Sequence, residues 1–259
     1  MGTMDPDQTV DEATTPVVLD VTDPTTRTVA LERAAEAVGE GECIVLPTDT
    51  VYGIGADALD PLAVQRLLNT KERGRDMPPP VLVGDAAVLP ALCDAVPQAA
   101  HDLAEEFWPG GLTLVLRAQE SLTMDLGETH GTIAVRVPDQ DATRELLRLT
   151  GPLAVSSANK SGRPPALTVA EATEQLGVEV AVYLDGGQSR IGEPSTIIDF
   201  ASTSDGKVLR QGALSLDEIH RIAPAVVGLP EPDPEPEPEP ADPQPADPEP
   251  VENGTDPTS

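Results

Sequence analysis

Side chains that can bind an anion recur in this sequence where buried strands are expected to end. Residues 43–46 are apolar and predict a strand that stops at Pro47, and Thr48, Thr50 and Tyr52 follow at once. Ligands of open α/β sheets bind outside the carboxyl ends of the strands, so these three side chains are candidates to face one. The two glycines that come next are expected to let the backbone approach a ligand closely. The alternative is a plain polar connection between a strand and a helix.

A second segment concentrates positive charge in a chain that has little of it. The sequence has 16 Lys and Arg against 45 Asp and Glu, a net charge of −29, yet Lys71, Arg73 and Arg75 fall close together. Arginine offers phosphate oxygens a forked pair of donors, and lysine offers a point charge. The segment therefore predicts a phosphate-binding loop. The alternative is a solvated loop in which the cations pair with Glu72 and Asp76.

Two later segments and two arginines add to this pattern. The small residues of 156–163 are expected to expose backbone N–H groups as an anion-binding nest, with a polar turn as the alternative. The segment 193–196 precedes an apolar strand, and 210–212 follows the next one. Arg117 and Arg136 also stand at or near strand ends, where either could be a surface charge. Together these residues predict a pocket for an anionic ligand, such as a nucleotide. Motifs for a general base or a P-loop are missing from the sequence.

The pattern of apolar residues predicts alternating helices and strands throughout the chain. Helices are predicted over 27–38, 61–69, 86–92, 97–106, 141–149, 168–176 and 216–222. Strands are predicted over 43–46, 81–83, 112–116, 132–137, 153–155, 180–184, 196–200 and 208–210. This mixture predicts one domain of the α/β or α+β class.

Composition separates a folded body from two acidic ends. From Leu229 onward Pro alternates with Glu or Asp, and no side chain there can build a core, so an extended, disordered tail is predicted. We expect disorder over 1–16, a folded domain over 17–225 and a disordered tail over 226–259. The body is acidic as well, which disfavours a general role in binding nucleic acids.

The cysteines and histidines give no sign of a metal site. Cys43 and Cys93 lack metal-type spacing and are interpreted as reduced core thiols, with a disulfide as the alternative. His101, His130 and His220 are scattered. No apolar run is long enough to cross a membrane, and the acidic N-terminus is not a signal peptide. These features predict a cytoplasmic protein without a membrane partner.

Seven motifs, in order along residues 31–213, resemble those of the threonylcarbamoyl-AMP synthase family, which has the YrdC-like fold. They are Pro-Thr-Asp-Thr-Val-Tyr-Gly-Ile-Gly at 47–55, Lys-x-Arg at 71–73, Trp-Pro-Gly-Gly-Leu-Thr at 108–113, Ala-Val-Arg-Val-Pro at 134–138, Ser-Ala-Asn-Lys-Ser-Gly at 157–162, Ser-Thr-Ile-Ile-Asp at 195–199 and Leu-Arg-Gln-Gly at 209–212. The resemblance implies a single YrdC-like domain of the α/β (α+β) class, with a twisted mixed sheet and flanking helices around a large open cavity.

The resemblance also implies an enzyme, a nucleotidyltransferase. Family members make threonylcarbamoyl-AMP and pyrophosphate from L-threonine, bicarbonate and ATP, with Mg²⁺ accompanying ATP. The adenylate then serves t6A37 modification of tRNA through a separate transferase, and strong nucleic-acid binding by this protein itself is not expected. By resemblance, the residues near threonine are Thr50, Arg117, Arg136 and Ser195. Those implied for ATP are Lys71, Arg73, Thr113, Ser157, Asn159 and Arg210, of which Lys71 and Arg73 are the catalytic candidates.

The sequence departs from the family at two places, and two other functions remain open. Met77 stands where Lys or Asn is common, and the strand around Leu82 lacks a His that is often found there. One alternative is a YrdC-like RNA-binding module, against which the acidic body argues. The other is a carbamoyl-transfer domain, although such domains usually sit in longer chains that carry more cysteines.

Overall fold

Ten short strands form one mixed sheet in residues 16–230, the part of the chain that the computed structural model describes. They are β1 (Val17–Asp20), β2 (Ile44–Leu46), β3 (Gly53–Asp57), β4 (Val81–Leu82), β5 (Leu112–Arg117), β6 (Thr132–Arg136), β7 (Leu153–Ser157), β8 (Val182–Asp185), β9 (Thr196–Asp199) and β10 (Lys207–Arg210). Their order across the sheet is β1-β8-β2-β3-β7-β4-β6-β5-β9-β10. Because neighbours in the sheet are distant in sequence, the predicted binding segments come together only in the folded chain.

Strand directions are mixed along this sheet. The pairs β1–β8, β2–β8, β4–β6 and β5–β9 are parallel. The pairs β2–β3, β3–β7, β4–β7, β5–β6 and β9–β10 are antiparallel. The fold class and the mixed sheet implied by the resemblance are therefore confirmed.

Five of the seven α-helices in residues 16–230 begin at a residue whose side chain caps the first turn. The seven helices are α1 (Pro24–Gly39), α2 (Pro61–Thr70), α3 (Leu89–Leu92), α4 (Gln98–Phe107), α5 (Asp141–Thr150), α6 (Val169–Leu176) and α7 (Leu216–Ile222). Asp23 and Asp60 accept hydrogen bonds from the first turns of α1 and α2, each of which has proline at its first position. Ser215 and Glu218 form a reciprocal capping box at α7.

The sheet buries both of its faces, which explains the apolar runs of its central strands. Ile44 and Leu46 pack with α1 and α5 on one face. Val45 and Tyr183 join a larger cluster on the other face, which includes residues of α2, α4, α6 and α7. Successive residues of a strand point to opposite faces, so even the three-residue β2 contributes to both clusters.

Two strands were missing from the sequence prediction, and one predicted helix is mostly irregular. The stretch 86–92 is a 3₁₀ turn followed by the short α3. Both β1 and β3 were missed, and Gly53 explains the second omission. A Cβ atom on Gly53 would lie 2.6 Å from Cγ1 of Val155 on β7, so this glycine permits close strand packing. Gly53 also lines the cavity described below.

The ends of the folded body differ slightly from the prediction. The strand β1 begins at Val17, directly after the predicted disordered start, whereas Val226 is buried and Val227 pairs with Lys207, so packing extends beyond residue 225. The predicted disorder of 1–15 and 231–259 lies outside the described residues. Cys43 and Cys93 are buried free thiols, as predicted. No helix of the described part is long and apolar enough to cross a membrane.

Candidate active site

Most of the predicted binding residues converge on one cavity of about 450 Å³. Apolar parts of its wall come from β4, β5 and β6 and from the consecutive prolines 78–80. The predicted residues that line it are Thr48, Thr50, Tyr52, Arg73, Thr113, Arg136, Ser156, Ser157, Ser195 and Arg210. The cavity therefore combines three guanidinium groups with a set of hydroxyls, and these fall into three local clusters.

The first cluster is built around Arg136, at the end of β6. Its guanidinium is buried and donates to the Gly110 carbonyl at 2.9 Å, to Oγ1 of Thr50 at 2.8 Å and to Oδ1 of Asp49 at 2.6 Å. Asp49 Oδ1 also accepts the Asp139 N–H at 2.9 Å. This buried ion pair fixes the guanidinium beside the Thr50 hydroxyl at the cavity wall.

The loop after β2 is held by its own hydroxyls. Thr48 Oγ1 accepts the N–H groups of Thr50 and Val51 and lies 2.9 Å from Oγ1 of Thr50. The Tyr52 ring lines the cavity, but its hydroxyl donates to the Gly187 carbonyl at 2.5 Å, so Tyr52 anchors the loop. Thr50 is thus the member of the predicted trio whose hydroxyl meets a guanidinium group.

The second cluster lies where α2 ends. The Glu72 N–H bonds to the Asn69 carbonyl and the Arg73 N–H to the Leu68 carbonyl, the pairing of a Schellman C-cap. Glu72 occupies the left-handed position of this cap, with φ of 55°. The turn is needed to place both cations, because it reverses the chain between Lys71 and Arg73.

Lys71 does not lie free in the cavity. Its buried ammonium donates to the carbonyl oxygens of Ser157 at 2.5 Å and Asn159 at 2.7 Å, and Asn159 Oδ1 lies at 3.4 Å. Burial, with Arg73 and Lys160 nearby, lowers the pKa of Lys71 to about 8. Asn159 lies behind the cavity wall and holds this lysine.

The predicted anion nest in 156–163 was wrong for the residues after Ser157. The N–H groups of Ala158, Asn159 and Ser161 bond to the carbonyls of Tyr52, Ser157 and Lys71, respectively. The Lys160 N–H bonds to the Gln175 side chain. With these donors used, the segment serves the site through its carbonyl groups, which hold Lys71, and through the hydroxyls of Ser156 and Ser157.

Arg73 reaches the cavity with few protein partners for its guanidinium group. Its Nη1 donates to Oγ of Ser156 at 2.9 Å, and its buried Nε has no hydrogen-bond partner among the described residues. Burial lowers the pKa of Arg73, and Asp76 acts in the opposite direction. A buried donor without an acceptor is costly, so this guanidinium is suited to receive an oxygen from a ligand.

The third cluster joins residues that were assigned to different substrates. Oγ of Ser195 and Oγ1 of Thr113 lie 2.8 Å apart, and Arg210 Nη2 donates to the Ser195 carbonyl at 2.8 Å. Burial lowers the pKa of Arg210, and the charges of Arg136 and Arg73 lower it further. The three guanidinium groups therefore repel one another across the cavity, which favours a ligand of high negative charge.

Three residues that were considered from the sequence lie outside the cavity. Arg117 is exposed at the far end of β5, four positions beyond Thr113, and it lines a neighbouring surface pocket. The structure thus does not bring Arg117 to the cavity. Arg75 points outward to Asp125 and Gln65. Met77 is half-exposed and does not line the cavity, whereas Leu82 does.

Sequence reasoning missed Asp49 as a functional residue. Its position between two predicted hydroxyls, directly after a buried strand, was the available signal. Its partner Arg136 is 87 residues away, so the pair could not be recognised from spacing. Within residues 16–230, no group of three or more His, Cys, Asp or Glu is placed to hold a metal ion.

Comparison with known proteins places this chain in a family. The family model named Sua5_yciO_yrdC, described as "Telomere recombination", matches residues 36–212. The chain therefore belongs to the Sua5/YciO/YrdC family. A Mycobacterium tuberculosis protein named "Putative threonylcarbamoyl-AMP synthase" is 47% identical over 203 residues, 78% of this chain and 93% of that protein.

A longer relative and its structure extend the comparison. The threonylcarbamoyl-AMP synthase of Pyrococcus abyssi is 38% identical over 75% of this chain but only 59% of its own length. The crystal structure of P. abyssi Sua5 complexed with L-threonine matches with a TM-score of 0.78 at 34% identity, covering 83% of this chain and 63% of that one. E. coli YciO, 24% identical with a TM-score of 0.69, shares the fold.

Proposed function

We propose that this protein is a threonylcarbamoyl-AMP synthase, which makes threonylcarbamoyl-AMP and pyrophosphate from L-threonine, bicarbonate and ATP. The observation that carries the proposal is the cavity with Arg73, Arg136 and Arg210. Of these three arginines, Arg136 alone has a carboxylate partner within ion-pair distance among the described residues. The names of the relatives in the family, and the threonine complex of P. abyssi Sua5, supply the reaction.

The proposed chemistry fits this inventory of side chains. The threonine amine adds to carbon dioxide from bicarbonate and loses a proton, which gives a carbamate. A carbamate oxygen then attacks the α-phosphorus of ATP, and the bond to the bridging oxygen breaks to release pyrophosphate. The nucleophile is already ionised, so a strong base is unnecessary, and within the described chain the cavity lining has neither His nor Cys. Catalysis then depends on alignment and charge neutralisation.

The roles of the side chains follow from where the charge lies. Arg73 and Arg210 lack carboxylate partners among the described residues and would bind the phosphates, with Thr113 and Ser157 as neutral donors. Arg136 is already neutralised by Asp49, and with Thr50 and Ser195 it would orient the carboxylate and hydroxyl of threonine. Lys71 would support the phosphate side through the carbonyls that it holds. Arg117 is left out of this assignment because it lies outside the cavity.

Two further partners belong to the proposal. Mg²⁺ would enter bound to the phosphates of ATP, because the described residues offer no carboxylate cluster to hold it and no step is assigned to it here. The product would pass to a separate transferase that modifies adenosine 37 of tRNA. The net charge of −29 supports a protein that does not itself hold tRNA strongly.

Pyrophosphate release tests the proposal. We expect release from ATP only when both L-threonine and bicarbonate are present. Arg73→Gln should lower kcat/KM by about 10²-fold or more, the effect of removing one preorganised donor. Arg75→Gln is the matched control, two residues away but directed outward, and should stay within about twofold of wild type.

Each result has a defined meaning. No threonine-dependent release by the wild-type protein would reject the synthase and lead to RNA-binding assays. Release that survives Arg73→Gln would keep the reaction but move the phosphate site. Equal losses in the Arg73 and Arg75 variants would reject the assignment of Arg73 to the cavity.

A further inference from the structure

Two lysines connect the two segments that form the second cluster, and they do so in opposite directions. Lys71, at the end of α2, donates to the carbonyls of Ser157 and Asn159 at 2.5 and 2.7 Å. Lys160 lies in the second segment and donates back to the Thr70 carbonyl at 2.7 Å. We name 70–73 the cation turn and 156–161 the carbonyl segment.

Lys160 is itself held in place. Its ammonium lies 3.1 Å from each carboxylate oxygen of Glu179 and 3.5 Å from Oε1 of Glu72, and its side chain is 19% exposed. The Thr70 carbonyl belongs to the last turn of α2, where helix geometry leaves carbonyls without partners. Lys160 supplies this missing donor from the carbonyl segment.

The position of Arg73 depends on the same contacts. The cation turn has Glu72 in the left-handed region, at φ of 55°, which is unfavourable for a residue with a side chain. Arg73 follows directly and meets Ser156, at the start of the carbonyl segment, through one 2.9 Å hydrogen bond. Any loosening between the two segments therefore shifts the guanidinium relative to the cavity.

We propose that Lys160 is a positioning residue of the phosphate-binding side, which holds the cation turn against the carbonyl segment and so fixes Arg73. It acts through backbone geometry and does not line the cavity. The kinetic part of this inference rests on the proposed function, whereas the structural part does not. Arg136 is held by Asp49, and Thr50 by Arg136 and Thr48, so the threonine side should be unaffected.

Lys160→Met tests the role because it keeps an unbranched apolar stem and removes the ammonium. We expect KM for ATP to rise about tenfold, the loss of a hydrogen bond to a charged group, while KM for threonine stays unchanged. Lys160→Arg should recover part of the loss. The matched control is Lys207→Met, an exposed lysine on β10 that lies outside both segments.

Hydrogen exchange supplies a readout that is independent of activity. The amide of Ser161, bonded to the Lys71 carbonyl at 3.0 Å, and the amide of Arg73 should exchange faster in Lys160→Met than in Lys207→Met. Glu179→Gln should cause a smaller change in the same direction, and it replaces Lys160→Met if that variant does not fold.

The outcomes separate the two proposals. Faster exchange confined to the two segments, with a selective rise in KM for ATP, would support the positioning role. Unchanged exchange, or equal rises in KM for ATP and threonine with faster exchange throughout, would overturn it. If the wild-type protein shows no synthase activity, the proposed function fails, and the exchange data alone decide whether Lys160 holds the two segments.

Discussion

Arg136 and Arg73 face the same cavity from walls with different electrostatics. Arg136 is paired with the buried carboxylate of Asp49 at 2.6 Å and uses two more of its five N–H donors on Thr50 and Gly110. Arg73 meets only the neutral hydroxyl of Ser156 within the described chain, and its buried Nε is unbonded. The charge of Arg136 is neutralised without a ligand, and the charge of Arg73 is not.

This difference indicates how the two walls contribute to binding. A neutralised guanidinium keeps its direction and its remaining hydrogen bonds, so it suits a substrate group that must be oriented. Guanidinium groups without counter-charges keep the cavity at positive potential, so they suit a ligand that brings several negative charges. This contrast is the reason for proposing that the first wall takes the carboxylate of threonine and the second the polyphosphate of ATP.

The largest expected effect is a difference in stability between variants of the two walls. Asp49→Asn should lower the free energy of unfolding by about 3–5 kcal/mol, because it leaves Arg136 buried without a counter-charge. Arg73→Gln should leave stability unchanged or raise it slightly while it lowers activity, since it removes a cation that the free protein does not neutralise. Urea denaturation of both variants beside wild type measures the difference.

A double variant provides the control. Asp49→Asn combined with Arg136→Met removes both buried charges. This double variant should therefore be more stable than Asp49→Asn itself. If Arg73→Gln proves as destabilising as Asp49→Asn, the two walls do not differ in the way proposed.

The sequence was sufficient for elements that carry their own local signals. The helix that begins at Pro61 was predicted because Asp60 and Pro61 mark its start and its apolar spacing marks its inner face. The strand β3 was missed because its two glycines resemble a bend. Glycine is needed at both positions because the side chain of Val155 packs against them, and Val155 lies on β7, about 100 residues away.

The same limit applies to the site. Thr50, Ser195 and Arg210 were predicted from their residue types at the ends of strands, and Arg73 was predicted from the concentration of cations in its segment. Whether a donor points to the ligand or to the protein depends on partners distant in sequence. The ammonium of Lys71 is directed to carbonyls beyond residue 156, and the side chain of Asp49 to Arg136. Motif spacing does not identify partners that are so far apart in sequence.

A second, smaller effect concerns pH. The pKa of Lys71 is lowered from 10.5 to about 8, mainly by burial, so above pH 8 the folded protein releases a proton that the unfolded chain keeps. Stability contributed by this group should therefore rise between about pH 8 and 10.5. The free energy of unfolding of wild type should increase relative to Lys71→Met over this range, and denaturation at several pH values measures it. A constant difference would show that Lys71 is not held in a desolvated state.

The smallest expected effect sharpens the description of the cation turn. Glu72 adopts φ of 55°, a conformation that glycine accepts freely and β-branched residues resist. Glu72→Gly should change the free energy of unfolding by less than about 1 kcal/mol, because relief of strain offsets the added flexibility of the unfolded chain. Glu72→Val should cost about 1–2 kcal/mol and raise KM for ATP, because the strained turn then displaces Arg73. Thermal denaturation and steady-state kinetics of this matched pair compare the two, and equal behaviour of the variants would mean that the left-handed turn does not determine where Arg73 lies.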